Sequence, residues 1–315
     1  MAKTLVILNP ISGNGNGAKL WASIEAALRQ GGLDFDLART TAPREAVTIA
    51  EKAKRDGYET LISVGGDGTT NEIVNGMLRA TGEQPCGTLG IIPVGSGNDF
   101  LKMLPQPSSP QSKKRRLDWR EGVQRIFTGS SHWVDVGKAV CDKPAPGFPT
   151  MHYFINALDT GFGAQVAMHA HDFPYLTGTP MYLASVFKTL VKYSVPHVKI
   201  QFGGECIEQS STMIAAANGR CIGGGFWIAP TARNDDGLLD VMIAQGLGRI
   251  GILSLLPKVM NGTHIGDPRV QFAQTARLVI ESPEPLTIET DGEIPYLDAH
   301  RVETEILSKR LRVIA

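Results

Sequence analysis

Three glycine-rich stretches constrain this chain more than any other feature: NPISGNGNG (residues 9–17), GGDGTTNE (65–72) and PVGSGNDF (93–100). Each closes a short apolar run, KTLVIL, TLISV or GTLGIIP, and the next segment turns helical. Between them GAKLWASIEAALRQGG places Leu20, Ile24, Ala27 and Leu28 on one helical face, with Gly31 as its stop. FDLART adds a strand, and PREAVTIAEKAKRDG adds a helix with proline near its start. Strand–helix alternation with short connections predicts a parallel sheet covered by helices. In such a sheet the turns open at the carboxyl edge, where ligands bind. Gly65, Gly66 and Gly68 are costly to order and pack nothing. What they offer is positive φ, or room for a ligand against backbone N–H groups at a helix start, which form an anion site.

After about Leu104 the texture changes. PQPSSPQSKKRR is a polar, proline-bearing loop, and a helix near Asp118 to Thr128 follows. Beyond Trp133 strands dominate: HWVDVGKAV, HYFINALDTGFG, HVKIQF, STMIAAANG, LLDVMIAQ, ARLVIES, LTIETDG and ETEILSKRLRVI. Helical segments interrupt them at MYLASVFKTLVKY and near Ile250 to Met260. Many short strands without intervening helices predict an antiparallel, sandwich-like domain. The expected organisation is residues 1–132 as a Rossmann-like α/β domain and 133–315 as a β-rich one.

At 315 residues, 42% hydrophobic and 20% charged, the chain reads as globular rather than disordered. Its 31 basic and 31 acidic side chains balance, which argues against a nucleic-acid partner; the only dense basic run is Lys113 to Arg116. Four widely spaced cysteines form no C-x-x-C pair and indicate neither zinc nor a disulfide framework. No run of about 18 apolar residues occurs, so no transmembrane segment is expected, and the N-terminal apolar stretch is too short for a secretory leader. These features predict a cytoplasmic protein with, at most, peripheral membrane contact.

None of the loops contains G-x-x-x-x-G-K-[ST] or a complete G-x-G-x-x-G, so both common nucleotide fingerprints fail. Instead the ordered set NPISGNGNG, GGDGTTNEIVNGM, GIIPVGSGNDFLKML, FINALDTGFGAQV, ANGRCIGGGFWIAPTARNDDGLLDVMI and IETDGE resembles the diacylglycerol kinase catalytic-domain superfamily, over nearly the whole chain. That resemblance implies a fold like that of NAD kinases and phosphofructokinases, with ATP in a cleft between the two domains. It also implies a nucleotide site built from Asn9, Thr40, Gly65, Gly66, Asp67, Gly68, Thr69, Asn71, Glu72 and Ser96, with Asp67 acting on the Mg²⁺ that accompanies ATP. The residues alone leave Asp67 and Ser96 open as helix caps.

TIETDGEIP carries Glu289, Asp291 and Glu293. On a strand, residues two apart share a face, so Asp291 and Glu293 would do so if the turn stays extended, and like charges held close raise one pKa. By resemblance the D-G-E motif holds the catalytic base, with Glu293 first, Asp291 its runner-up and Asp67 a third candidate. A plain D-G turn is the competing reading. PTARNDDGLLD reads as a hairpin turn, and by resemblance it binds a structural Mg²⁺ through the carbonyls of Arg233 and Leu238 and the carboxylate of Asp236.

Phe162, Phe226 and Trp227 would wall a long-chain acceptor or fill the sandwich core. Leu183, Phe187, Leu190 and Val191 would line an acyl groove or fill core. The expected activity is ATP- and Mg²⁺-dependent phosphorylation of a lipid hydroxyl, diacylglycerol- or sphingosine-like, with transient membrane-surface contact; a homodimer is left open. Phosphorylation of a polar molecule such as NAD, or a non-catalytic nucleotide- or lipid-binding role, are the alternatives.

Overall fold

The computed structural model describes residues 3–82, 84–95, 97–104, 118–170, 172–173 and 179–314. Ser96, His171 and the basic run 113–116 lie outside the described residues. Two compact units divide the chain: Met1–Val134 with Lys309–Ala315, and Asp135–Ser308. The end of the last strand, from Lys309 on, therefore falls in the first unit, whereas chain order alone leaves all of it in the second.

In the first unit β1 (Lys3–Leu8), α1 (Ser12–Gln30), β2 (Asp36–Arg39), α2 (Glu45–Arg55), β3 (Tyr58–Gly65), α3 (Asp67–Thr81) and β4 (Thr88–Pro93) alternate as the pattern predicts. A 3-10 turn at Phe100–Lys102 and helix α4 (Trp119–Thr128) follow. The strands pair in parallel in the order β2-β1-β3-β4, and Arg312 and Val313 add a further parallel strand beside β4. Both faces of the sheet are buried, as a parallel sheet requires. Val6, Leu8, Ile62, Val64 and Ile92 pack under Trp21, Ile24 and Leu28 of α1 and Val123 of α4. Ile7 and Leu61, one residue out of step with these, are buried on the opposite face.

The second unit is mostly antiparallel sheet. Its elements are β5 (Ser131–Cys141), β6 (Met151–Phe154), β7 (Ala157–Gly161), α5 (Phe162–Ala170), α6 (Thr179–Lys192), β8 (His197–Phe202), β9 (Glu205–Ala217), β10 (Leu239–Gln245), α7 (Arg249–Asn261), β11 (Val270–Thr275), β12 (Arg277–Thr290) and β13 (Glu293–Ile314). The main path runs β11-β10-β9-β7-β12-β13, with β8 pairing both β9 and β12. Leu158, Ile200, Ile214, Val241, Ile280, Ile288 and Tyr296 share its largest core.

Several local expectations are corrected. HYFINALDTGFG breaks at Ile155 and Asn156 into two strands, and its last two residues, Phe162 and Gly163, open helix α5 instead of ending the strand. ARLVIES and LTIET are one strand, β12, whose register against β13 slips between Glu281 and Leu286. Strand β11 was not anticipated.

Candidate active site

The three glycine loops of the first unit meet at the carboxyl edge of its sheet. Each of them tolerates no side chain where it touches the next. A Cβ on Gly13, which has φ 61°, would stand 2.0 Å from the Val94 carbonyl oxygen, and one on Gly95 would stand 2.7 Å from the Gly66 Cα. Asn9 Nδ2 donates to Thr69 Oγ1 at 2.9 Å, tying the first loop to the second. Thr40 continues β2, its N–H donating to the Leu8 carbonyl at 2.9 Å.

Helix α3 begins inside the motif, at Asp67, with the extended Gly66 before it and no side chain capping its first turn. Asp67 therefore does not cap its own helix. Its carboxylate turns to the third loop, where the Phe100 N–H donates to Oδ1 at 3.5 Å. Burial and the neighbouring Asp99 carboxylate push Asp67 up to about 7, against the pull of the Asp99 and Phe100 amides and of Lys102. Asp99 is buried, and Lys102 Nζ donates to its Oδ1 at 2.5 Å. Asp99 has no assigned role in the sequence motifs, although an aspartate right after a third glycine loop, PVGSGNDF, is the signal that points to it. Two crowded carboxylates beside uncapped helix amides suit a divalent cation carrying phosphate, because the cation relieves their repulsion.

Other members of the motif hold the fold. Glu72 caps a neighbouring helix: the N–H groups of Arg44 and Ala46, at the start of α2, donate to its two carboxylate oxygens at 3.2 Å each. Arg44 has φ 63°, and this cap accounts for a strained residue being held there. Asn71 is fully buried, and Asn75 Nδ2 donates to its side-chain oxygen at 2.8 Å.

In the second unit the D-G dipeptide makes a two-residue hairpin turn, with Asp291 at φ 50° and Gly292 at φ 92° between the paired Thr290 and Glu293. The turn is not extended, so Asp291 and Glu293 do not share a face. Asp291 points inward and accepts from the N–H groups of Ile155, Asn156 and Ala157 at 2.7, 2.9 and 3.0 Å. It clips together the break between β6 and β7. Glu293 remains half-buried, its Oε2 3.4 Å from Nε2 of the buried His152. His152 lay unremarked in the sequence.

The close like-charge pair is Asp159 with Glu289, opposite one another on β7 and β12. Both are buried. Burial pushes Asp159 up to about 7. Burial and then the Asp159 charge push Glu289 well above the usual carboxylate range. The native pair thus holds a proton that an unfolded aspartate, with an ordinary value of 3.8, has released by neutrality. Stability from this pair falls as pH rises from about 4 toward 7. Glu289→Gln is expected to flatten that fall by roughly 1–3 kcal/mol. Calorimetric melting of both proteins at pH 5 and pH 8 checks it, and equal pH slopes would refute it.

The pair adjoins an apolar cavity. Phe162, Gly163, Tyr182, Met213, Phe226 and Leu255 are among its lining residues. A Cβ on Gly163 would stand 2.8 Å from Asp159 Oδ1. Of the three aromatics expected as a wall, Phe162 and Phe226 line this cavity, while Trp227 packs against the Gly262 turn. Phe187 and Val191 line neither groove nor core; both are exposed on α6.

The PTARNDDGLLD loop is pinned by Asp135, whose N–H donates to the Asn234 carbonyl and whose Oδ2 accepts from the Gly237 N–H, both at 2.7 Å. Asp236 is exposed, one oxygen accepting from the Leu238 N–H at 3.1 Å, while Arg233 pairs with Asp235. Burial, with the Asp236 charge adding, pushes the nearby Asp240 up to about 6, and its buried Oδ2 has no hydrogen-bond partner among the described residues. That orphan oxygen, within reach of the Asp236 charge, fits a hard, oxygen-seeking cation.

A parallel α/β unit with three interlocked glycine loops, and a β-rich unit with buried carboxylates, define a phosphate-handling enzyme. The chain belongs to the diacylglycerol kinase family, whose members are phosphotransferases with an alcohol acceptor: residues 3–139 match the diacylglycerol kinase catalytic domain, and residues 156–315 match the YegS C-terminal NAD kinase beta sandwich-like domain. It is 26% identical over 297 residues to a Bacillus subtilis (strain 168) diacylglycerol kinase, covering 93% of this chain and 90% of the other. It is 30% identical over 285 residues to the "Probable lipid kinase YegS-like" of Chromohalobacter salexigens, covering 89% and 85%. A crystal structure of a diacylglycerol kinase from Bacillus anthracis str. Sterne superposes with a TM-score of 0.69 at 21% identity, covering 99% and 96% of the two chains. Yeast NADH kinase superposes at 0.52 and 10% identity, covering 100% and 83%. The last two speak for the fold alone. No helix among the described residues is long and apolar enough to cross a membrane.

Proposed function

We propose that this chain is an ATP- and Mg²⁺-dependent lipid kinase that phosphorylates the hydroxyl of a diacylglycerol- or sphingosine-like lipid. The observation that carries the reading is the apolar cavity of the second unit, with Asp159 of the Asp159–Glu289 pair directly behind its lining residue Gly163. A polar acceptor such as NAD would need many paired polar groups in its pocket; this lining is aromatic and aliphatic, with Thr212 as its one hydroxyl-bearing aliphatic side chain.

ATP supplies the phosphoryl group, and Mg²⁺ neutralises its charge. In the first unit Asp67, with Asp99 beside it, would hold the metal. The amides at the start of α3 would take phosphate oxygens, in the space left by Gly66 and Gly68. Asn9 and Thr69 would fix the loops against each other; Thr40 would sit at the nucleotide's edge, as would Ser96, outside the described residues. In the second unit Glu293 would accept the proton of the attacking hydroxyl, with His152 positioning its carboxylate. The cavity, about 60 Å³, would have to widen to take an acyl chain, whose polar end would lie toward the acid pair. Substrate of this kind resides in bilayers, so the reading includes peripheral membrane contact.

Purified protein incubated with labelled ATP, Mg²⁺ and separate lipid classes tests the reading. Phosphorylation of diacylglycerol, monoacylglycerol, ceramide or sphingosine supports it; transfer only to NAD or a soluble sugar would replace the lipid with a polar acceptor. The Asp236 loop is tested separately. Asp236→Ala is expected to raise the Mg²⁺ needed for half-maximal activity roughly tenfold without weakening ATP binding, since losing one supporting ligand commonly costs on that order. An unchanged metal dependence would remove the metal from that loop.

A further inference from the structure

Helices α6 and α7 present an outer face that the cavity and core beneath them do not use. Val186 and Leu190 of α6 and Ile252 of α7 pack inward with Phe162 and Val166. The neighbouring positions point out: Phe187 is 59% exposed, Val191 66%, Ile250 83% and Leu253 40%. These are four of the nine large exposed hydrophobics among the described residues. The two helices meet where Arg249 Nη2 donates to the Val191 carbonyl at 2.8 Å, so the apolar side chains flank one junction.

The charge around that junction is one-sided. In a chain with equal acids and bases, α6 and α7 carry Lys188, Lys192, Arg249 and Lys258 and no acidic residue. Lys188 is paired with Asp172 and Lys258 with Asp267. Lys192 and Arg249 face no carboxylate among the described residues within ion-pair distance. Exposed aromatic and aliphatic side chains rimmed by unneutralised cations complement a surface that is apolar below and anionic at its boundary.

We propose that the outer face of α6 and α7 docks this chain onto an anionic lipid bilayer, inserting Phe187, Val191, Ile250 and Leu253 while Lys192 and Arg249 meet the headgroups. This rests on the lipid-kinase reading for its purpose but not for its chemistry. The cavity lies directly behind the same helices, lined by Tyr182 of α6 and Ile252, Leu255 and Leu256 of α7, so docking would bring the bilayer to the wall of the acyl site.

Cosedimentation of the full chain with phosphatidylcholine vesicles, with and without phosphatidylglycerol, tests the proposal. The wild type is expected to bind the anionic vesicles, less so at high salt. The Phe187→Ser/Ile250→Ser double variant is expected to bind them roughly tenfold or more weakly. Lys192→Glu is expected to lose a similar factor on anionic vesicles only. Both should still turn over a short-chain lipid dispersed as monomers. If the double variant fails to fold, judged by its melting curve, Lys192→Glu carries the test, Lys192 being exposed. Wild-type protein that ignores anionic vesicles, or variants that bind as tightly as wild type, would overturn the proposal. So would a wild-type dimer that the double variant abolishes, because a second copy would then occupy the face. Vesicle binding that depends on these residues, with no lipid phosphorylated, would leave the docking face standing and remove the kinase reading instead.

Discussion

Asp67→Asn is expected to lower turnover on the order of 10³-fold or more while leaving the protein as stable as wild type, or more so. The two halves of this result have one cause. Asp67 stands beside the buried Asp99, and burial plus that charge push it up to about 7. A group so placed weakens the fold when ionised, so a neutral, isosteric amide relieves repulsion. The asparagine oxygen can still accept from the Phe100 N–H that now reaches Oδ1, and the third loop stays in place. What asparagine cannot supply is a full negative charge for a divalent cation, and electrostatic stabilisation of a transferring phosphoryl group is worth several kcal/mol. Steady-state turnover at saturating ATP and Mg²⁺, with a melting curve on the same preparation, reads both halves. Near-normal turnover would remove Asp67 from the metal site. Lost turnover together with a large drop in melting temperature would make it structural.

The first unit was legible because its signals are local. Each strand is an apolar run, each helix has a face, and the glycine turns mark the joins, so β1 to β4 and α1 to α3 fall where periodicity puts them. The second unit yielded less. HYFINALDTGFG reads as one continuous strand because it is apolar throughout, yet Gly161, at φ 91°, ends the strand and Phe162 opens α5. The return of Arg312 and Val313 to β4 is a pairing choice that no local pattern encodes.

The site divides in the same way. GGDGT announces itself through glycines, which only a close backbone approach repays. Glu72 sits in the same motif, yet its partners are amides of α2 far back in the chain. Asp159 and Glu289 become a pair only through the register of β7 on β12. Sequence reasoning looked for two crowded acids within the D-G-E motif, and the crowding instead lies across strands.

That shift separates the two candidate bases by experiment. Glu293→Gln is expected to slow phosphoryl transfer by about 10²–10⁴-fold while binding of a non-hydrolysable ATP analogue stays nearly unchanged. The Glu293 side chain is half-buried beside His152 and, among the described residues, bonds to no backbone group, so the variant should melt like wild type. Asp291→Asn is expected to do the reverse. Asparagine tolerates the left-handed backbone that Asp291 adopts, so the turn itself is not strained. The amide, however, has one acceptor oxygen where the carboxylate has two, and its NH₂ would face the N–H groups of residues 155–157 that now donate to Asp291. At least one buried amide loses its partner, at a cost of about 1–3 kcal/mol, more if the NH₂ is forced against it. The melting temperature should fall, and turnover measured on the folded fraction should survive. A stable Asp291→Asn protein without turnover, alongside an active Glu293→Gln, would move the base from Glu293 to Asp291 and make the three amides a device for holding a catalytic carboxylate.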